Sequence, residues 1–253
     1  MYFYLVIKIL YLAGIFFLAP PCSCSTPRLA LSVLLSVTVA FEQNNLKPYK
    51  FTYFPLKGIA EGNRLLLAYG GEDFEDRFMT KEEWPAHKPK TQFGQLPTLE
   101  IDGKEYAQNI PIARYLGRKL GLSGKTLLED LEIDQNIEFF NSDLRPKAAL
   151  VHYEPDKAQA DKRYAEFSKD VFPALLQKLD EIITKNNGHL ALGRLTWADF
   201  VFAGMIDYVK VMLRMPDLYV KYPSFKKVLD TVYALPKVKE YDQKSPKPAI
   251  VSA

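Results

Sequence analysis

The segment that most constrains the fold lies between residues 93 and 103, where a proline stands at the entrance to a short apolar strand. Proline has no main-chain N–H to donate, so within sheets it is confined to edges, bulges or the first residue of a strand. Thr98–Ile101 has the pattern of the strand, Asp102-Gly103 is a two-residue hairpin signal, and Lys104–Ala107 is the return strand. The segment therefore predicts a β-hairpin that begins directly after Pro97.

The same segment predicts a ligand site. We expect a cis Leu96-Pro97 peptide bond, which leaves the main-chain N–H and C=O groups of Leu96 outside the ladder. Such groups can pair with an extended peptide as an added strand would. Asn109, after the hairpin, is a residue type that caps helices, and a helix N-terminus attracts a carboxylate. We therefore expect this region to bind a small anionic peptide.

Composition excludes several classes of function. The chain has 253 residues, of which 48% are hydrophobic and 25% charged, so it can build a substantial core. Its net charge of +3, with basic and acidic residues interspersed, does not indicate a nucleic-acid partner. The two cysteines, Cys22 and Cys24, precede Lys47, so the rest of the chain has no disulfide, thiol nucleophile or cysteine metal site. No metal is expected, because ligand spacing is absent from the three histidines: His87, His152 and His189.

Residues 1–46 form an apolar leader that differs from everything after it. The run 2–18 is almost wholly apolar and is interrupted by Lys8. Three interpretations remain open: a secretory signal cleaved near Thr38-Val39-Ala40, a membrane anchor, or an appendage outside the fold. We expect a cytoplasmic protein, or a secreted or membrane-anchored one if the leader is functional.

Residues 47–124 predict a small α/β domain. Strands are expected at 49–54, which is rich in aromatic and β-branched residues, and at 74–79. Helices are expected at 60–69, before a Gly-Gly stop, and at 110–120. With the hairpin, this order of elements predicts a small mixed sheet with helices on its faces.

Residues 126–253 predict an all-α domain. Capping boxes begin helices at Thr126 and Thr196, and the helical stretch 156–185 contains Pro173, which should kink or break it. In the first of these helices, four apolar side chains are expected to reach the core: Leu128, Leu131, Ile137 and Phe140.

An α/β domain with a proline-led strand, followed by a helical bundle with a capping box, resembles the cytosolic glutathione transferases. The resemblance covers residues 49–246 and implies a thioredoxin-like N-terminal domain followed by a C-terminal helical bundle. Four motifs are similar to the sigma class, which includes detoxifying enzymes, a prostaglandin D synthase and the S-crystallins. They are Tyr49-Lys50-Phe51-Thr52-Tyr53-Phe54, Glu83-Trp84-Pro85, Phe93-Gly94-Gln95-Leu96-Pro97 and Ile112-Ala113-Arg114-Tyr115-Leu116.

The resemblance implies that Tyr53 is catalytic and that glutathione is the co-substrate. A free thiol has a pKa of about 8.5, so little of it is thiolate at neutral pH. A hydroxyl that donates to the sulfur favours the charged form, which can then attack a small electrophile. The alternative is that Tyr53 only packs within its strand.

The resemblance also implies a set of glutathione-binding residues. Lys88 would face the glycine carboxylate beside Trp84, and Leu96 would pair with the main chain of the cysteine. Gln108 and Asn109 would hold the γ-glutamyl carboxylate. Alternatives are core packing for Trp84 and a solvated side chain for Lys88. The full implied set is Tyr53, Phe54, Trp84, Lys88, Gly94, Gln95, Leu96, Pro97, Gln108 and Asn109.

Two departures from the family pattern leave a second function open. Ile59 stands where family members usually carry an arginine that orients the tyrosine, and Lys57 nearby is a point charge and not a fork. Asn141 and Ser142 stand where the dimer partner usually provides an aspartate. The chain is therefore either a glutathione transferase or isomerase, or a non-catalytic, S-crystallin-like protein.

A homodimer and an electrophile pocket are the remaining implications. Three aromatic residues are expected to be exposed where a second copy could cover them: Phe93, Phe139 and Phe140. The wall of the electrophile pocket is expected to include Leu144, Arg145 and Ala149.

Overall fold

A four-stranded mixed sheet forms the first part of the fold in the computed structural model, which describes residues 48–245. The strands are β1 (Tyr49–Tyr53), β2 (Phe74–Phe78), β3 (Thr98–Ile101) and β4 (Lys104–Ala107), in the order β2-β1-β3-β4. β1 pairs in parallel with β2 and antiparallel with β3, and β3 pairs antiparallel with β4. The predicted mixed sheet is confirmed, whereas the leader at 1–46 lies outside the described residues.

The hairpin and the proline-led strand are as the sequence predicts. Ile101 pairs with Lys104, and the two turn residues have φ values of 52° at Asp102 and 82° at Gly103. Positive φ at both central positions is what a tight hairpin turn requires. The Leu96-Pro97 bond is cis, and β3 begins one residue later.

Three helices accompany the sheet, and the two that were predicted have bounds within a residue or two of the expected ones. They are α1 (Glu61–Gly70), α2 (Trp84–His87) and α3 (Asn109–Lys119). Gly71 ends α1 in the left-handed conformation, with φ 66°, as the Gly-Gly stop indicates. The unexpected element is the short α2, which lies in the loop between β2 and β3.

After residue 126 the described part of the chain consists of helices and the turns that join them, as the all-α prediction expects. The helices are α4 (Leu127–Glu138), α5 (Arg145–His152), α6 (Lys157–Glu166), α7 (Phe172–Lys185), α8 (Trp197–Met212), α9 (Leu218–Lys221), α10 (Pro223–Tyr233) and α11 (Pro236–Lys244). One hydrophobic core, reaching from Tyr49 to Val238, joins these helices to the sheet.

Two π-helical segments interrupt the bundle, and each ends just before a proline-containing helix. They are Phe139–Leu144, which precedes α5, and Phe167–Val171, which precedes α7. Pro146 and Pro173 are the second residues of these two helices. A proline has no N–H and its ring crowds the carbonyl four residues earlier, so the wider turn accommodates it. Where the sequence predicted a kink or break at Pro173, the structure has a π-helical segment that ends two residues earlier, and the helix continues.

α8 is the central helix and meets α1 at two glycines. A Cβ built on Gly204 would lie 2.3 Å from the main-chain nitrogen of Gly62, and one built on Gly62 would lie 2.6 Å from the Cα of Val201. Only glycine, whose side chain is a hydrogen atom, permits the two helices to approach this closely. The crossing brings the end of β1 close to the helical half.

The core assignment for α4 was partly wrong. Leu128 and Leu131 are 77% and 60% exposed, because the first turns of α4 project beyond the core. Ile137 and Phe140 are buried as expected, with Ile133 on the same helical face. Phe140 is therefore not an exposed aromatic, and the neighbouring Phe139 packs against the core. Phe93 is 55% exposed, as predicted.

Candidate functional site

Tyr53 is the last residue of β1, and its hydroxyl lies over the loop that follows. A Cβ built on Gly58 would lie 2.9 Å from the hydroxyl oxygen, and Gly58 has a φ of 46°. Glycine therefore permits both this loop conformation and the close approach of the ring. The main-chain N–H of Ile59 faces the same hydroxyl and lowers its pKa.

The environment of Tyr53 keeps its hydroxyl protonated. Burial raises the pKa of Tyr53 above its ordinary value of 10.0, and the nearby Tyr153 raises it further. The Ile59 N–H and the charges of Arg64 and Arg145 lower it, but burial dominates. At neutral pH the group is a hydrogen-bond donor, which is the form that can stabilise a thiolate.

Lys57 does not take the place of the arginine that Ile59 replaces. Its ammonium lies 3.4 Å from the hydroxyl of Tyr233 and 3.7 Å from a carboxylate oxygen of Glu61. Both partners of the lysine lie in helices, Tyr233 in α10 and Glu61 in α1.

An aromatic row extends from Tyr53 to the predicted glycine-end residues. The Phe54 ring lies 5.7 Å from the Tyr53 ring and 5.6 Å from the Trp84 ring, edge-on in both cases. Trp84 is partly buried rather than a core residue. The exposed side chain of Lys88 extends over Gly94, since its Cε would lie 3.4 Å from a Cβ built on that glycine.

The segment before Pro97 offers its main chain to the same cleft. Within residues 48–245, neither main-chain group of Leu96 pairs with another main-chain group, since β3 begins only at Thr98. Gln95, beside it, accepts a hydrogen bond of 2.8 Å from the side-chain amide of Gln108. The two segments predicted to hold the cysteine and γ-glutamyl parts of glutathione are therefore joined directly.

The start of α3 differs from the prediction in one respect. Gln108, not Asn109, is the N-cap, with a φ of 77° that non-glycine residues rarely adopt. Asn109 is the first helical residue, and its buried side-chain amide lies 3.9 Å from the sulfur of Met205. The prediction that Asn109 caps the helix was wrong, because its side chain points inward. Among the described residues no side chain caps this turn, which leaves its first N–H groups for a ligand.

The helical half contributes a polar wall that was only partly predicted. The hydroxyls of Tyr153 and Tyr208 lie 2.6 Å apart, and Tyr153 and Tyr53 both raise the pKa of Tyr208, which burial raises most. Arg145 is held through its Nε by the carbonyl and side-chain oxygens of Asn141, at 3.2 Å each. Leu144, expected in this wall, is fully buried. Tyr153 and Tyr208 are 55 residues apart in sequence, so no local motif could have identified them.

The positions of the missing acidic pair are occupied by local contacts. The Asn141 amide and the Ser142 hydroxyl both donate to the same carboxylate oxygen of Glu138, at 3.5 Å and 2.5 Å. Among residues 48–245, no three histidine, cysteine or acidic side chains gather as metal ligands would. Nor is any helix in this part of the chain long and apolar enough to span a bilayer.

Three comparisons with known proteins agree. Residues 142–245 match the family model described as Glutathione S-transferase, C-terminal domain. Glutathione S-transferase 2 of Manduca sexta is 57% identical over 197 residues, which are 78% of this chain and 96% of the relative. The solved structure of prostaglandin synthase D of Nilaparvata lugens is 37% identical, covers 80% of this chain and 100% of its own, and gives a TM-score of 0.75. A sigma class GST of Fasciola hepatica is 27% identical over 79% of this chain and 97% of its own, with a TM-score of 0.70.

Proposed function

Because the chain belongs to the glutathione S-transferases, we propose that Tyr53 activates glutathione for attack on small electrophiles or for their isomerisation. The observation that carries this proposal is the Tyr53 hydroxyl itself. It is buried, it keeps its proton at neutral pH, and it lies at the end of β1 beside the open main chain of Leu96. Glutathione, the co-substrate of this family, is a small anionic peptide that such groups can bind.

The donors around the cleft fit the three parts of glutathione. Lys88 supplies a positive charge for the glycine carboxylate, with Trp84 and Phe54 as the apolar wall beside it. Leu96 can pair with the cysteine main chain in the manner of an added strand. The open N–H groups at the start of α3 and the Gln108 amide can hold the γ-glutamyl carboxylate.

The chemistry then follows from Tyr53. A hydroxyl that donates to sulfur stabilises the thiolate more than the thiol, so the pKa of bound glutathione falls below about 8.5. The thiolate forms a carbon–sulfur bond with the electrophile and displaces a leaving group or adds to a double bond. The hydroxyls of Tyr153 and Tyr208 and the guanidinium of Arg145 form the polar side of the electrophile pocket.

We place the chain in the sigma class and include isomerisation for two reasons. The four motifs of the sequence resemble that class, and one structural relative is named as a sigma class GST. Another is named as a prostaglandin synthase, which is an isomerase. We also propose that the protein works in the cytoplasm, since its residues from Lys47 onward contain no cysteine and need no oxidising compartment.

A glutathione-affinity column, followed by an assay with a generic aromatic electrophile, tests the proposed function. We expect retention, elution by free glutathione, and conjugation above the uncatalysed rate. Retention without conjugation or isomerisation would favour the S-crystallin-like alternative. Failure to be retained would contradict both.

We also propose that the protein is a homodimer. A groove of about 320 Å³ lies between the β3-β4 hairpin and α3, and three exposed aromatic side chains line it: Phe93, Tyr106 and Tyr115. The first turns of α4 carry three leucines exposed to solvent: Leu127, Leu128 and Leu131. A second copy related by a two-fold axis could bury both apolar surfaces.

Sedimentation of the full chain at micromolar concentration tests the dimer. Leu128→Glu should shift it towards the monomer, because a charge would be buried in the interface. Val220→Glu is the matched control, since Val220 is also a highly exposed aliphatic residue, on α9. A monomeric parent, or equal effects of the two substitutions, would contradict this interface.

A further inference from the structure

A fully buried arginine lies beneath the proposed catalytic tyrosine. Arg64 in α1 has no exposed surface, and its Nε lies 2.9 Å from a carboxylate oxygen of Asp76. Its Nη1 donates to the carbonyl of Leu56 at 3.0 Å and to Glu61 at 3.3 Å. Its Nη2 has no hydrogen-bond partner among the described residues. The guanidinium is thus held firmly by two carboxylates and a carbonyl, and one of its nitrogens is left without a hydrogen bond within residues 48–245.

Aromatic rings surround this guanidinium. Its central carbon lies 5.2 Å from the ring centre of Phe78, 5.6 Å from that of Phe51 and 5.9 Å from that of Tyr53. A cation near an aromatic ring is attracted to its face, and the interaction strengthens where water is excluded. The charge therefore acts on Tyr53 in a region of low dielectric, where its field is weakly screened.

Arg64 also holds the loop that contacts the hydroxyl. Leu56, whose carbonyl it binds, and Ile59, whose main-chain N–H lowers the pKa of the Tyr53 hydroxyl, belong to the same loop. The one guanidinium therefore lies against both the tyrosine ring and the loop beside the tyrosine hydroxyl.

We propose that Arg64 is a positioning residue for Tyr53 and that its buried charge compensates for the arginine missing at Ile59. The inference rests on the proposed function and deepens it. Arg64 acts on the thiol through Tyr53, from below the ring, while the usual arginine would act from the loop. The charge of Arg64 also lowers the pKa of Tyr53 against the effect of burial.

The two acidic partners of Arg64 determine how strong its electric field is at Tyr53. Glu61 is also approached by Lys57, at 3.7 Å. Asp76 contacts Arg64 and, at 3.5 Å, the hydroxyl of Tyr241. Asp76→Asn keeps an acceptor for Arg64 but removes the negative charge. Asp76→Asn should therefore make the electrostatic potential at Tyr53 more positive, whereas Arg64→Met should remove the positive contribution of Arg64.

The test is the pH dependence of thiolate absorbance in the glutathione-bound protein. We expect Arg64→Met to raise the pKa of the bound thiol by about half a unit or more, and Asp76→Asn to lower it. Arg64→Lys, which keeps the charge but not the fork, should fall between Arg64→Met and the parent. Arg114→Met is the matched control, because Arg114 also pairs with an aspartate, Asp134, and stacks on an aromatic ring.

Opposite shifts of the thiol pKa in Arg64→Met and Asp76→Asn would support the inference. A general loosening of the site would instead move the thiol pKa of both variants towards that of free glutathione. Shifts in the same direction, or none beyond that of Arg114→Met, would overturn it. If Arg64→Met does not fold, Asp76→Asn decides alone: a lowered pKa supports the inference, and an unchanged or raised one overturns it. A parent that forms no thiolate would instead refute the proposed function, and the inference with it.

Discussion

At the scale of single residues, the site depends on one hydroxyl whose surroundings favour its neutral form. Burial of Tyr53 raises its pKa, and a main-chain N–H, a fully buried arginine and Arg145 each counter that effect. The side chain of Ile59 contributes no charge, and only its main-chain N–H lowers the pKa of the hydroxyl. We therefore expect an active site that is less strongly polarised than one with an arginine at this position.

Ile59→Arg should raise the rate of conjugation, by less than about tenfold, because a second cation would add to the field of Arg64. The rate constant at saturating glutathione, measured with a generic electrophile, provides the check. A circular dichroism spectrum would establish that the variant folds. An unchanged or lower rate in a folded variant would mean that the site is adapted to isoleucine.

The sequence could name candidate site residues that occur in local motifs, but not the side-chain contacts that depend on packing. Tyr53 was named from the resemblance of its strand motif to a family, and Leu96 from the cis proline that follows it. The inward side chain of Asn109 depends on Met205, which is 96 residues away. The Tyr153–Tyr208 contact likewise requires two helices to be packed together, and no spacing in the chain encodes it.

At the scale of elements, the start of α8 is held by one buried carboxylate that accepts three hydrogen bonds. One oxygen of the buried Asp199 accepts from the Thr196 N–H at 2.7 Å and from its hydroxyl at 3.0 Å. The other accepts from the Leu190 N–H at 2.8 Å. This capping box, predicted from sequence, therefore joins α8 to the preceding loop as well as beginning the helix.

Asp199→Ala should lower the free energy of unfolding by about 3 kcal/mol, because two buried N–H groups would lose their acceptor. Glu129→Ala in α4 is the matched control: Glu129 is also an N3 residue that accepts from a main-chain N–H, but its side chain is 35% exposed. Its loss should cost clearly less than that of Asp199, because solvent can replace the carboxylate. Urea unfolding measures both. Equal losses, or wild-type stability with lost activity in Asp199→Ala, would contradict the structural assignment.

The ends of helices and strands could be predicted from turn residues in the sequence, whereas irregularities within helices could not. Gly71 and the Asp102-Gly103 pair mark turns through conformations that glycine favours, so the ends of α1 and β3 were predictable. Pro173 indicated a break but not its form, since a kink, a gap and a π-helical turn all relieve the same clash. The exposed start of α4 depends on where the core ends, which apolar spacing alone cannot reveal.

At the scale of the whole molecule, the core contains several titratable hydroxyls. Burial is the largest cause raising the pKa of each member of a group of tyrosines: Tyr53, Tyr208, Tyr219, Tyr233 and Tyr241. Each therefore binds its proton more tightly in the folded than in the unfolded chain. Their contribution to stability is fully present below the unfolded pKa of about 10 and is lost as pH rises through it towards the folded values.

The free energy of unfolding should therefore fall steeply above pH 10, by about 1.4 kcal/mol per pH unit for each such tyrosine. Tyr219→Phe should reduce this slope by about 1.4 kcal/mol per pH unit, the contribution of one proton. The substitution also removes a 2.6 Å hydrogen bond to Asp207. Urea unfolding between pH 8 and 11 gives both slopes. A slope that is flat, or that Tyr219→Phe leaves unchanged, would contradict this assignment.

The most direct test of the central claim is the thiolate absorbance of the glutathione complex against pH, in the parent and in Tyr53→Phe. The parent should ionise its bound thiol well below the ordinary value of about 8.5, and the variant close to it. Turnover should fall roughly 10- to 1000-fold, the scale of losing one donor to a developing anion. Glutathione affinity should stay within a few-fold, because the thiol is a small part of the ligand. If the variant and the parent titrate at the same pH, Tyr53 is not the activating group.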